Sequence, residues 1–402
     1  MRLSDRMLRD ATAIAERTDV LDVERWASGW LGQAWVGAAL GEREPEKQLC
    51  LEVVGRANTR PSPTGLAAVT ALRRVAPPSE ASMLDGSVAI LAEGQPPPPW
   101  SDAPRFTPVR SWRAVDVWDS ERVLFVEYAP EDALATAHTL MARIVEPGGT
   151  VVAKLGVLYP DAAHRWASTR EDGDVPMPLA ECPVEEALAD LASGLRRTDL
   201  LWPRHDDADF VEVRALAWTR CRAYLPGWPN VEPLPDDERR TLVDAFLVDA
   251  GVPDPEADLA DPAVVRSLAS LFLDYGEGYI TAGPLAWSPD SVLMFLVDWL
   301  PRKAFLDEGQ KAALPETLRR WLSFALRRRR VDPQWVEPVV SAVDTYLPDF
   351  TEAVDDESSW GPAKQIAAEL GARGIDLSDK AAVDAVIGEL NAQRLARRLL
   401  DE

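Results

Sequence analysis

Four consecutive prolines at positions 96–99, inside "EGQPPPPWSDAP" (93–104), constrain this chain more than any other feature. Proline fixes φ and lacks an N–H, so the run is barred from helix and central strand and favours an extended conformation. The residue patterning also differs on its two sides. A helical domain is therefore expected over 1–94, a proline-rich linker over 95–104 and a different domain beyond it.

Before the tract, Leu49, Cys50, Val53 and Val54 recur at helical spacing. Ser62-Pro63 reads as an N-cap followed by an N1 proline, and Ser79-Glu80 as the start of another helix through Leu91. After it come "RAVDVW" (113–118), "RVLFVEY" (122–128), "HTLMARIVE" (138–146) and "TVVAKLGVLY" (150–159), rich in β-branched and aromatic residues. Asp119-Ser120 and Pro147-Gly148-Gly149 punctuate them as turns. Short connections imply an antiparallel sheet, and "RVLFVEY", apolar on both faces, implies a strand covered on both sides. From about residue 235 Asp261-Pro262, Ser288-Pro289 and Asp332-Pro333 each place a capping side chain before an N1 proline. Leu314, Leu318, Trp321, Leu322 and Ala325 form one apolar face, and Val383, Val386, Ile387 and Leu390 another. The expected fold class is α+β, mainly α: helices over 1–94, an α+β domain with a small antiparallel sheet over 105–232, and helices over 233–402.

Composition narrows the chemistry. The 402 residues include three histidines (His138, His164, His205) and three scattered cysteines (Cys50, Cys182, Cys221). That leaves little material for a closed metal site or a catalytic triad, so neither metal nor cofactor is expected. No Gly-Lys pair exists for a P-loop, and "DYGEGYITAG" lacks the third glycine of a dinucleotide loop. "HDDAD" (205–209) offers possible metal ligands but precedes a helix, where carboxylates cap. His138 and Lys154 fall too far apart along a hairpin to act together.

The net charge is −23, growing from −2 over 1–98 to −8 over 99–232 and −13 over 233–402. Such a surface repels nucleic acid and anionic membranes, and fits an unknown protein partner with a basic surface. Arg319, Arg320 and Arg327 to Arg330 are the one basic concentration, with Arg320, Arg327, Arg328 and Arg330 as a candidate phosphate or partner patch. No apolar run reaches membrane-spanning length and no signal-peptide core opens the chain, so a cytoplasmic setting is expected.

The sharpest segment is "WSPDSVLMFLVDWLPRK" (287–303). Val292–Val297 is apolar all round, which predicts a helix buried on every side and ended by Pro301. Trp287, Asp298, Trp299, Arg302 and Lys303 are its candidate binding residues, with Arg302 expected to pair with Asp298 and Lys303 to be more exposed. Most of the fifteen tryptophans, such as Trp321, read as core; Trp100 and Trp112, flanking the linker, read as exposed. This segment, with "GPAKQIAAEL", "GIDLSDKAAVDAVIGEL" and the central "HTLMARIVEPGGTVVAKLGVL", resembles a family of uncharacterised actinobacterial proteins. The resemblance covers most of 105–400 and implies no activity and no catalytic residue. It agrees with the excess of arginine over lysine, 37 to 6, that GC-rich codons produce.

The function expected is therefore a non-catalytic interaction or scaffold protein. The alternatives are a hydrolase using carboxylates between sheet and C-terminal helices, and a nucleic-acid-associated regulator using the arginine-rich helix 314–330.

Overall fold

The computed structural model describes all residues except 130–135, 147–148, 172, 229–231, 252–260, 376–379, 381–382 and 390–402. The chain forms two compact units, Met1–Val231 and Glu232–Glu402. It is α+β and mainly helical, and none of the described helices is long and apolar enough to cross a membrane.

The first unit opens with α1 (Leu3–Asp10), α2 (Thr12–Ala15), α3 (Val20–Val36), α4 (Pro45–Thr59), α5 (Pro63–Val75) and α6 (Ala81–Ala92). Asp19 caps α3 by accepting from Leu21 N, and Ser62 caps α5 by accepting from Gly65 N. Strands β1 (Thr107–Val115), β2 (Glu121–Ala129), β3 (His138–Val145) and β4 (Val151–Leu158) follow, then α7 (Ala162–Ser168), β5 (Leu179–Glu181), α8 (Val184–Thr198) and α9 (Ala208–Cys221). The strands form one antiparallel sheet in the order β4-β3-β2-β1-β5. Alternation sends Leu124, Val126 and Tyr128 of β2 toward the helices of the main core. Val123 and Phe125 point the other way, into a smaller cluster with Trp112 and Ala163. Strand β2 is thus covered on both faces, as its sequence requires. Helix α9 packs against β4 and α3, so closely that a Cβ at Gly32 would collide with the Val211 carbonyl.

One buried cluster runs from Met7 of α1 through the sheet to Cys221 of α9. The proline tract lies within this unit. Its Trp100, expected to be exposed, is 0% accessible, and its indole N–H donates to the Ile14 carbonyl at 2.9 Å. Trp112 is buried as well, because its face of the sheet is covered by α7, whose Ala162 and Ala163 join the same cluster. Ala103 and Phe106 join the same core as Trp100. Of the four prolines only Pro98 is buried, and the aromatic residue after the tract is what anchors this crossing to the core.

The second unit contains α10 (Asp236–Asp249), α11 (Pro262–Tyr279), α12 (Pro289–Leu293), a π-helical turn Met294–Trp299, α13 (Leu300–Lys303), α14 (Glu308–Arg328), α15 (Pro333–Val354) and α16 (Pro362–Ala372). Asp261, Ser288 and Asp332 cap α11, α12 and α15 through their side-chain oxygens. The five-residue apolar face of α14 is fully buried. Val386 is buried too, while Leu390 lies outside the described residues. Around Tyr275, the rings of Trp287, Phe295 and Trp299 pack at centroid distances of 5.0–5.6 Å.

Two expectations about 287–303 are corrected here. Helical residues continue through Pro301 to Lys303. Pro301 sits in the first turn of α13, directly after the π turn, and Pro315, Pro338 and Pro348 likewise lie inside α14 and α15 without ending them. Nor is the segment buried on all sides: Val292, Phe295, Leu296 and Leu300 are buried, whereas Leu293, Met294 and Val297 are half-exposed. The buried positions recur at i, i+3, i+4 and i+8, so one face meets the core.

Candidate functional site

The residues singled out in sequence divide between core and surface. Trp287 is fully buried and donates to the Pro284 carbonyl at 3.0 Å. Half-buried Trp299 covers Tyr275, Tyr279 and Phe295. Arg302 does pair with Asp298, at 2.8 Å, but both side chains are about half exposed (49% and 46%), and Lys303 is exposed beside them. In the basic helix, Arg320 is held by Glu316 and the Ala250 carbonyl, Arg327 by Asp249 and Arg319 by Glu316 and Asp344. Arg328 lies over the Phe324 ring, and Arg330 turns into the left-handed region just past the helix end. Much of this charge is already engaged by the protein's own carboxylates.

The other candidates resolve as caps and packing. Asp207 accepts from Phe210 N at 2.9 Å to open α9, and His205 stacks on Phe210. Among the described residues no group of three His, Cys, Asp or Glu could hold a metal ion. Gly276 is a packing glycine: a Cβ there would sit 2.6 Å from the Pro284 carbonyl. Lys154 pairs across the sheet with Arg143 and is exposed, whereas His138 pairs with Tyr128 and is buried. Burial pushes the Cys50 thiol up to about 12 and raises Cys221 as well, so neither supplies a thiolate.

A different constellation converges in the first unit. The last turn of α5 carries Arg73 and Arg74, where positive charge complements the helix dipole. Anchored by Trp100, the chain then crosses this helix end. The Arg74 guanidinium donates to the Ala103 and Pro104 carbonyls at 2.8 and 3.1 Å and to Glu24 of α3 at 2.9 Å. Glu24 also accepts from Arg220 of α9, so one carboxylate serves two arginines. All three side chains are buried, with exposures of 2% for Glu24, 9% for Arg74 and 5% for Arg220. The triad therefore carries one net positive charge in a poorly solvated place, where the Ala103 and Pro104 carbonyls and the Phe106 and Tyr128 ring faces help to stabilise it.

The surroundings do not neutralise it. The Arg220 guanidinium lies over the Phe106 and Tyr128 rings. His138, stacked on Tyr128, is pushed down to about 4 by burial and then by the nearby Arg220 charge, so it is neutral near pH 7. In front of the triad opens a cavity of about 330 Å³ lined by Arg73, Arg74, Arg105 and Arg222 together with Pro77 and Leu84. A second, of about 180 Å³, shares Arg73, Arg74 and Arg105 and adds Thr70, Ser101 and Asp102. The Thr70 hydroxyl is buried without a protein hydrogen-bond partner.

The four lining arginines are not equivalent. Arg74 is locked as above, and Arg73 pairs with Asp85 of α6. Among the described residues neither Arg105, which is exposed, nor Arg222, half-buried over the Trp218 ring, has a carboxylate within ion-pair distance. Burial lowers the Arg222 pKa, and Glu46 and Asp199, held behind it by Arg214, act in the opposite direction. Guanidinium groups at a concave surface suit carboxylate and phosphate oxygens, which they bind with charge-assisted hydrogen bonds. The Thr219 hydroxyl on the wall is committed to the Val75 and Ala215 carbonyls.

Sequence reading missed this site because its residues come from α3, α5, the 101–105 crossing and the end of α9. The one local signal was the Arg73-Arg74 pair closing an apolar helix just before Pro77-Pro78. Compared with family models, curated proteins and solved structures, the chain finds no match.

Proposed function

We propose that the chain is a non-catalytic binding protein whose first unit recognises a small anion in the arginine-lined cleft. One observation carries the reading: Arg105 and Arg222 reach the cavity without ion-pair partners among the described residues, in front of a buried Glu24 shared by two arginines. In a chain of net charge −23 this local excess of positive charge runs against the overall field. The same reading puts the protein in the reducing cytoplasm, in keeping with its three free cysteines. It leaves the acidic residues of 233–402 to face a protein partner with a basic surface.

Calorimetric titration of the whole chain with inorganic phosphate, pyrophosphate and citrate in low salt tests it. Saturable one-site binding is expected, weakening as salt rises. Arg105→Gln removes charge-assisted hydrogen bonds worth about 1.5–3 kcal/mol, so affinity should fall roughly ten- to hundredfold. Absence of binding by every anion, or equal binding by the variant, overturns the reading.

A further inference from the structure

The two cavities differ in chemistry, and that difference specifies the ligand further. This step rests on the anion-binding reading above. The smaller space is polar, bordered by Thr70, Ser101 and Asp102. In the larger one the arginines face an apolar wall made of Ala76, Pro77, Pro78, Ala81 and Leu84, where the chain leaves α5 and enters α6. Its volume of about 330 Å³ is roughly ten water-sized volumes, more than a bare phosphate or acetate fills. Water there meets hydrocarbon on one side, so a ligand that replaces it with apolar atoms gains affinity.

We infer that the ligand is an amphiphilic anion. Its carboxylate or phosphate head sits against Arg105 and Arg222, and its short apolar tail lies along Pro77, Ala81 and Leu84. The site supplies a cationic end and an apolar end within one enclosure, the pattern by which small-molecule pockets fix orientation. Arg73 and Arg74, tied to Asp85 and Glu24, hold the wall between the two spaces in place. Asp102 borders the polar space and repels a second negative group there, which favours a single anionic head over a polyanion.

The experiment is a calorimetric series on the full chain with acetate, butyrate, hexanoate and octanoate, alongside inorganic phosphate and the n-alcohols of matching length. Affinity should tighten about fourfold per added methylene until the apolar space is full, then level off. The alcohols should bind far more weakly than the carboxylates. Ala81→Trp, placed at an exposed position on the apolar wall, fills the space given to the tail and should abolish the dependence on chain length. Arg105→Gln should weaken all the anions alike. If phosphate and acetate bind but longer tails add nothing, the amphiphile is wrong and the anion site stands. A chain-length dependence that survives in Ala81→Trp likewise overturns the assignment of the tail. If no anion binds, or the alcohols match the carboxylates, the anion-binding reading itself fails.

Discussion

Replacing Trp100 by alanine probes the packing that creates the cleft. The side chain is fully buried, and its N–H is bonded to the Ile14 carbonyl at 2.9 Å. Removing a core tryptophan costs about 3–5 kcal/mol through lost burial and the cavity left behind. The Ile14 carbonyl keeps the Arg17 N–H at 3.2 Å, so loss of the indole donor adds little to that range. For a unit of this size each kcal/mol moves the melting midpoint by about 2–4 °C, so a fall of roughly 6–20 °C is expected. Circular-dichroism melting of the full chain reads this, with Trp228→Ala as the control. Trp228 is 59% exposed and lies under Arg196, so its loss should cost no more than about 1 kcal/mol. Equal midpoints for the two variants would refute the packing role given to Trp100.

A protease site introduced at 93–95, once cut, should leave both fragments in one peak on size exclusion, since a single core spans the break; separation of a 105–402 fragment would contradict this. Arg302→Ala removes an exposed i,i+4 pair, so the midpoint should shift by the equivalent of less than about 1 kcal/mol; a loss of 3 kcal/mol would show a buried pair instead. His138 is held at about 4 in the folded state against an ordinary 6.5, so the unfolded chain takes up its proton first as pH falls. Stability should therefore decline between pH 6.5 and 4 by at most about 3 kcal/mol from this group. In His138→Phe that part of the slope should be lost, so it should appear as the difference between the two proteins; identical pH profiles would rule it out.

Local grammar was legible where it acts through nearest neighbours. Ser62, Asp261, Ser288 and Asp332 cap the helices they precede, and β2 is covered on both faces as "RVLFVEY" implies. What could not be read was tertiary. Four prolines dictate an extended backbone, but whether it separates two bodies or runs along the surface of one depends on where Trp100 finds the α2 carbonyl 86 residues earlier. Likewise, Pro301 reads as a helix end from its own chemistry alone, yet it opens α13 directly after the π turn, and Pro315, Pro338 and Pro348 lie inside longer helices. The cleft was hidden for the same reason. Arg74 and Arg220 look like ordinary surface charges until α3 brings Glu24 between them. In contrast, the conspicuous run at 327–330 ends a helix beside Asp249.

The most direct test is to see the anion. Crystals of the full chain equilibrated with selenate, which stands in for phosphate and scatters anomalously, locate it without assuming any function. The account predicts an anomalous peak within hydrogen-bond distance of the Arg105 and Arg222 guanidinium groups, lost in the Arg105→Gln, Arg222→Gln double variant. Selenate bound only elsewhere, with the cleft unoccupied at saturating concentration, would contradict it.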